Sequence, residues 1–93
     1  MIRTIKTFPC LNPKLQDWLM VATEEPKVYL VPEREFTRLV IEAGRRFNTL
    51  APLAPYPSLL GAEWKTNSTI YRWFVKRLKE LAEKFEPLVQ GLQ

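Results

Sequence analysis

The sequence predicts a small α+β domain that is mostly helical, with three principal helices and a small two-stranded element. The expected helices are at about residues 13–23, 32–47 and 68–86, and the expected strands are at about 2–8 and 27–31. Three observations predict this fold class. Apolar residues make up 46% of the 93 residues, which is enough for a hydrophobic core. Apolar residues recur at spacings of three and four in three segments, and prolines bracket the short apolar segments between them.

The first part of the chain carries a strand signal and then a helix signal. Residues 2–8 contain Ile, Thr and Phe, which favour extended structure. Asn12 and Pro13 are typical of a helix start, because an Asn side chain caps a helix and Pro at the first position needs no N–H. We expect this helix to end before Pro26. The residues between these limits place one apolar face at helical spacing: Leu15, Trp18, Leu19 and Ala22.

A buried strand and a second helix are predicted next. The segment 27–31, KVYLV, is short, apolar and bracketed by prolines, and its natural partner is the N-terminal strand. Pro32 opens the second helix, and Glu33 and Glu35 lie in its first turn, where the helix dipole favours acids. The apolar stripe of this helix comprises Phe36, Leu39, Val40, Ala43 and Phe47.

Prolines in residues 48–58 predict an ordered, extended arm within a single domain that spans residues 1–93. The sequence PLAP at 52–55 matches the loose P-x-x-P pattern of peptide ligands, but the pattern is short and has no basic flank. Packing of the arm on the protein's own helices is therefore the preferred interpretation. Residues 58–64 are consistent with a short helix.

The last helix, residues 68–86, has a broad apolar face when its residues are set out at 100° per residue. Pro87 is expected to end or kink it. The apolar face comprises Ile70, Tyr71, Phe74, Val75, Leu78, Leu81, Ala82 and Phe85. Trp73 lies off this face, among cations. Either another element of the domain covers it, a second chain covers it, or it stacks on a base or an aromatic ring of a partner.

The charge distribution along this helix indicates an anionic partner. The net charge is +4, and residues 65–79 contain five basic residues and no acid. Ion pairs at i,i+4 within the helix explain part of this pattern. Lys65, Arg72 and Arg77 have no such acidic partner in the helix, and cations beside an aromatic residue favour nucleic acid.

Residues 58–81, SLLGAEWKTNSTIYRWFVKRLKEL, resemble the helix-turn-helix segment of DNA-binding domains. The polar lead-in KTNST and the alternating basic and apolar turns of IYRWFVKRLKEL carry the resemblance, which covers about a quarter of the chain. In that family the second helix enters the major groove, and its N-terminal residues face base edges. The resemblance implies that DNA would be faced by Asn67, Ser68, Thr69 and Arg72. It places near the phosphates Lys65, Lys76 and Arg77.

The second helix offers another interaction surface. Arg34, Arg38 and Arg45 lie within about 40° of each other on the helical wheel, although plain solvent exposure also explains them. Ile41 lies outside the apolar stripe. Because Ile41 and Trp73 both lie off their core stripes, we expect a homodimer or an obligate protein partner.

Composition disfavours several classes of function. The chain has no histidine and a single cysteine, so neither a common zinc site nor a histidine-based acid–base mechanism is expected. The three glycines are scattered, which argues against a glycine-rich phosphate loop. Cys10 is expected to be a reduced, structural thiol. No apolar run approaches the ~18 residues of a membrane span, and the expected compartment is the cytoplasm.

The preferred function is therefore a small non-enzymatic binding protein, without cofactor or metal, that uses the basic face of its last helix to bind nucleic acid. The alternative is a protein–protein adaptor or inhibitor, including a homodimer. It would act through Trp73, Ile41 and the proline arm.

Overall fold

A computed structural model of the chain describes residues 2–47 and 63–92. Within these ranges, four strands form one antiparallel sheet, and two helices cover one of its faces. The strands are β1 (Ile2–Pro9), β2 (Trp18–Thr23), β3 (Lys27–Pro32) and β4 (Glu63–Asn67). The helices are α1 (Glu33–Phe47) and α2 (Ser68–Leu92).

The sheet has the strand order β3-β2-β1-β4, and every neighbouring pair is antiparallel. β1, β2 and β3 form a meander, and β4 pairs with the other side of β1. The register places Phe8 opposite Met20, Met20 opposite Leu30, and Thr4 opposite Lys65. Since side chains along a strand alternate between faces, these five residues share one face of the sheet.

The predicted helix at residues 13–23 is wrong. After the predicted capping residue Asn12, only a 3₁₀ turn forms, Pro13–Leu15. The rest of the segment is β2, and its buried residues alternate with half-buried ones as a strand requires. Those buried residues are Leu19, Val21 and Thr23. The apolar pattern of this segment fits both periods, and hydrogen bonding to a strand on each side decides the outcome.

The fold class of three helices with a two-stranded element is therefore wrong as well. The predicted strands at 2–8 and 27–31 both form, but β2 lies between them, so they are not partners. β4 begins at Glu63, inside the segment 58–64 that was expected to be helical. Its sequence, EWKTN, has little strand character of its own, and pairing with β1 makes it a strand. The proline arm at 48–58 lies outside the described residues.

The other two predicted helices are confirmed in position, and most of their predicted apolar residues are buried. α1 begins directly after Pro32, and its first amide, that of Glu33, donates a 2.7 Å hydrogen bond to the Asp17 carbonyl. α2 continues through Pro87 to Leu92, so the helix end expected at this proline is wrong. The carbonyl that Pro87 leaves without an N–H partner is that of Glu83, an exposed residue, so water can satisfy it.

The core lies between the helices and one sheet face. Phe36 of α1 and Phe74 of α2 meet edge to face at its centre, with ring centroids 5.7 Å apart. The sheet contributes Ile5, Leu19, Val21, Tyr29 and Val31.

Among the described residues the buried Tyr29 hydroxyl has no hydrogen-bond partner, and burial raises the pKa of this side chain. Tyr71, in contrast, accepts a 3.0 Å hydrogen bond from the Glu24 amide.

We expect Tyr29→Phe to leave the free energy of unfolding unchanged or to raise it by up to about 1 kcal/mol, because the variant removes a buried hydroxyl that gains nothing from folding. Tyr71→Phe is the matched control and should lower it by about 0.5–1.5 kcal/mol, because it removes a hydrogen bond. Urea unfolding of both variants measures the difference. A clear loss of stability in Tyr29→Phe would show that the hydroxyl has a partner after all.

Candidate nucleic-acid interface

Trp73 lies at the seam between α1 and α2. Its ring meets the ring of Phe47 edge to face at a centroid distance of 5.4 Å, and it packs against the core while remaining half-buried. The guanidinium groups of Arg46 and Arg77 lie 5.7 Å and 5.6 Å from its centroid. Of the three interpretations of Trp73, packing by another element of the same domain is the one that these contacts favour, with α1 on one side of the ring, and the other two stay predictions. With two cations and an aromatic edge already against it, the ring is poorly placed to stack on a base.

Arg77 has an acidic partner that the helix alone does not reveal. Its Nη1 atom lies 2.7 Å from Oε1 of Glu42 on α1, and its Nε atom lies 4.0 Å from Oε2 of Glu80. The prediction that Arg77 is unpaired is thus wrong, because it considered only i,i+4 pairs, whereas Glu80 lies at i+3 and Glu42 lies on the other helix. The Arg77 side chain links the two helices and contacts the Trp73 ring, so a structural role is enough to explain an arginine at this position.

Three other cations lie on the same two helices that meet at Trp73. Arg46, Arg72 and Lys76 are exposed, and none forms an ion pair with a carboxylate of residues 2–47 or 63–92. Arg46 contacts the Trp73 ring, whereas Arg72 precedes Trp73 and Lys76 lies one turn after it. We call these three cations together with Trp73 the helix-seam cluster. Arg45 is also exposed and lies in the same last turn of α1.

Arg72 lines an open cleft of about 460 Å³ that also contains two carboxylates, Glu24 and Glu25. Both carboxylates are engaged elsewhere. Glu24 accepts hydrogen bonds from the Thr4 amide and from Arg3, and these contacts lower its pKa, the Thr4 amide most. Glu25 lies 3.5 Å from the Lys79 ammonium. Arg72 therefore remains available to an anion from outside the protein.

The residues that the helix-turn-helix resemblance assigned to base edges begin with a capping residue. Asn67 Oδ1 accepts a 2.9 Å hydrogen bond from the Ile70 amide, which caps the start of α2. Ser68 is half-buried and Thr69 is exposed. The described part of the resembling segment, residues 63–81, is a strand that leads directly into a helix.

Lys65 lies on a different surface from the helix-seam cluster. It is exposed on the face of the sheet opposite the helices, in register with Thr4 of β1. We call this surface the open sheet face, because none of the described elements packs on it. Residues of all four strands form it: Ile2, Thr4, Lys6, Phe8, Trp18, Met20, Ala22, Val28, Leu30, Pro32 and Lys65.

The open sheet face is largely apolar, and the sequence prediction missed it. Ile2 is 70% exposed, Val28 is 56% exposed and Phe8 is 42% exposed, whereas Trp18 and Met20 are half-buried. Phe8 and Met20 lie opposite each other in the register, so apolar residues are adjacent on the two central strands of this face. The sequence signal for it was the nearly unbroken apolar run of β2, WLMVAT, which supplies apolar residues to both faces of the sheet.

Arg34 and Arg38 border the open sheet face. They line an open cleft of about 530 Å³ with Trp18 and Pro32, together with Asp17, Glu33 and Thr37. Arg38 pairs with Glu35 at 3.3 Å, and Arg34 forms no ion pair with a carboxylate of the described residues. Arg45 lies seven residues beyond Arg38, a rise of about 10 Å along α1. Seven residues are about two helical turns, so Arg45 lies on the same side of α1 as Arg34 and Arg38, and their use as one surface stays a prediction.

The remaining predicted site residue is Ile41, which is 40% exposed on α1. A single exposed apolar residue of this kind is common on protein surfaces and does not define an interface.

Cys10 is half-buried, and burial raises the pKa of its thiol. Within the described residues no three His, Cys, Asp or Glu side chains converge as metal ligands.

None of the described helices is both long enough and apolar enough to span a membrane. Comparisons of the chain with protein-family models, with curated proteins and with solved structures find no match.

Proposed function

We propose that the protein binds nucleic acid through the cations of the helix-seam cluster. The observation that carries this proposal is a set of three exposed cations that no described carboxylate pairs. Arg46 reaches the Trp73 ring from α1, while Arg72 and Lys76 lie one turn apart on α2. Such cations can bind a phosphate backbone in place of its condensed counterions, and the release of those counterions favours binding. The net charge of +4 also favours association with a polyanion.

The packing of the two helices supports this use of the cluster. The 2.7 Å ion pair between Arg77 and Glu42 joins α1 to α2. The contact of Arg46 with Trp73 places Arg46 against the helix that carries the other two cations. The cations then need little reordering when they meet phosphates, which reduces the entropic cost of binding. No base-reading group is assigned to the cluster, because Asn67 caps α2 and Trp73 is packed. The expected binding is therefore tolerant of sequence.

The salt dependence of binding tests this proposal. If the three cations each meet a phosphate, log K should fall with log salt with a slope of about −3 on a duplex. Arg72→Ala and Lys76→Ala should each reduce the magnitude of this slope by about one unit without unfolding the protein. Lys14→Ala, which also removes one exposed positive charge, is the control and should leave the slope unchanged. Titrations of a fluorescent oligonucleotide at several salt concentrations provide the measurement.

Two results would contradict the proposal. One is the absence of binding to both duplex and single-stranded oligonucleotides at ~50 mM salt, where non-specific contacts are strong. The other is a slope that Lys14→Ala reduces as much as Arg72→Ala does.

The alternative of an adaptor or inhibitor that acts through Trp73 and Ile41 receives less support. Trp73 packs against α1 of its own chain, and Ile41 is an isolated exposed residue. The proline arm, the third part of that hypothesis, lies outside the described residues. Homodimer formation stays a prediction, and the next experiment includes it as an outcome.

A further inference from the structure

The open sheet face carries two aromatic side chains on its two central strands. Phe8 is on β1 and Trp18 is on β2, and both point away from the helices. Phe8 lies opposite Met20, so Trp18 is its diagonal neighbour, about 7–8 Å away between backbone positions. Side chains at diagonal positions stand side by side on the same face of a sheet, so both rings are offered to one ligand.

Cations lie on the same face and at its border. Lys6 of β1 and Lys65 of β4 are exposed beside the aromatic pair, and Arg34 lies in the cleft that Trp18 lines. None of the three forms an ion pair with a described carboxylate. Acidic residues are also near: Asp17 and Glu33 line the cleft, and the backbone register places Glu63 opposite Lys6. The face thus combines one exposed ring, Phe8, and one half-buried ring, Trp18, with separated positive charges.

We propose that the open sheet face binds single-stranded nucleic acid, with successive bases on Phe8 and Trp18 and phosphates beside Lys6, Lys65 and Arg34. Every base offers a flat π surface for stacking on an aromatic side chain, and a single strand exposes its bases. A four-stranded sheet with helices behind it and aromatic residues in front is a geometry suited to this task. A duplex hides its bases and cannot use the rings.

Charge complementarity favours this occupant over a second copy of the chain. Two open sheet faces packed together would bring Lys6, Lys65 and Arg34 of both copies into or beside an apolar interface. Like charges brought together across an interface repel one another and disfavour this association. A polyanion with flat bases satisfies the cations and the rings together.

This inference rests on the proposed function only in naming nucleic acid as the ligand, since it assigns a second surface on the opposite side of the sheet. The test measures the affinity of the full chain for a ~12-nucleotide oligo(dT) and for a duplex of equal length at ~50 mM salt. The variants are Phe8→Ala, Trp18→Ala and Trp18→Phe. The control is Val28→Ala, which removes an exposed apolar side chain from the edge strand of the same face.

Phe8→Ala and Trp18→Ala should each weaken oligo(dT) binding by about 5- to 150-fold, while duplex affinity stays within about twofold. Trp18→Phe should recover most of the loss, because Phe also stacks. Val28→Ala should bind like the parent. Circular dichroism confirms that each variant is folded, and Phe8, at 42% exposure, provides the safer substitution.

The outcomes separate the two proposals. If neither oligonucleotide binds, the proposed function fails and this inference fails with it. If both bind with the expected salt dependence but Phe8→Ala and Trp18→Ala bind oligo(dT) like the parent, only the inference is overturned. It is also overturned if the chain is a dimer by light scattering and Phe8→Ala makes it monomeric, because a second copy then occupies the face.

Discussion

Val21→Lys is expected to abolish cooperative folding, whereas Ala22→Lys should leave a folded protein. The Val21 side chain is fully buried on the core side of β2, between β1 and β3. A charged lysine there has no partner and costs several kcal/mol, a large part of the ~5–15 kcal/mol that stabilises a typical domain. Ala22 points to the open sheet face, where a lysine reaches water.

The pair of variants also discriminates between the two secondary structures that this segment suggests. On a helix over residues 13–23, Ala22 would belong to the apolar face and Val21 would lie outside it. Lysine at position 22 would then unfold the protein, and lysine at position 21 would be tolerated. Thermal unfolding followed by circular dichroism gives the answer, and a folded Val21→Lys beside an unfolded Ala22→Lys would contradict the sheet described above.

Trp73→Ala is expected to lower the free energy of unfolding by about 2–4 kcal/mol. The variant removes a half-buried indole, its edge contact with Phe47, and the ring that Arg46 and Arg77 contact. For a chain of this size the melting temperature should fall by roughly 10 °C or more. Oligonucleotide affinity, measured below the melting temperature, should change less than it does in Arg72→Ala.

Trp73→Phe is the matched control, since it retains an aromatic edge against Phe47 and should lose less than half as much stability. The contrary result is a Trp73→Ala variant as stable as the parent but with single-strand affinity reduced by tenfold or more. That outcome would make the ring a ligand-contacting group, and the packing against α1 would then be incidental.

The two helices could be predicted from the sequence because their signals are local. Pro32 and the acidic first turn mark the start of α1, and the period of 3.6 residues identifies the buried stripe of each helix. Each signal lies within a few residues of the structure it predicts. The failure at Pro87 is instructive, because a proline whose orphan carbonyl faces water can be accommodated in a helix.

The sheet could not be predicted in the same way, because its strands depend on distant partners. Leu15, Trp18, Leu19 and Ala22 match helical spacing as well as they match a strand, and only pairing with β1 and β3 resolves the ambiguity. β4 has no strand pattern of its own. Both errors come from tertiary contacts that override weak local preference.

The grouping of the candidate site residues was also predicted only in part, because it depends on contacts between elements that are distant in the sequence. Lys65 and Arg72 are seven positions apart in the sequence and were predicted to act together. The boundary between β4 and α2 at Asn67 and Ser68 separates them, so Lys65 faces away from the helices while Arg72 lies on one. The pairing of Arg77 with Glu42 was equally invisible, since it joins residues 35 positions apart.

The position of β1 in the middle of the sheet has a consequence for how the chain folds. Ile2 pairs with Asn67, 65 positions later, so β1 acquires its second neighbour only after the 65 residues that follow it have been made. The β1–β2–β3 meander can form early from nearby segments, but it then presents one side of β1 as an unpaired edge. Closing the β1–β4 pair carries a large loop entropy, so it should be a late, slow step of folding. During that interval the free edge of β1 is the part of the molecule most open to pairing with another nascent chain.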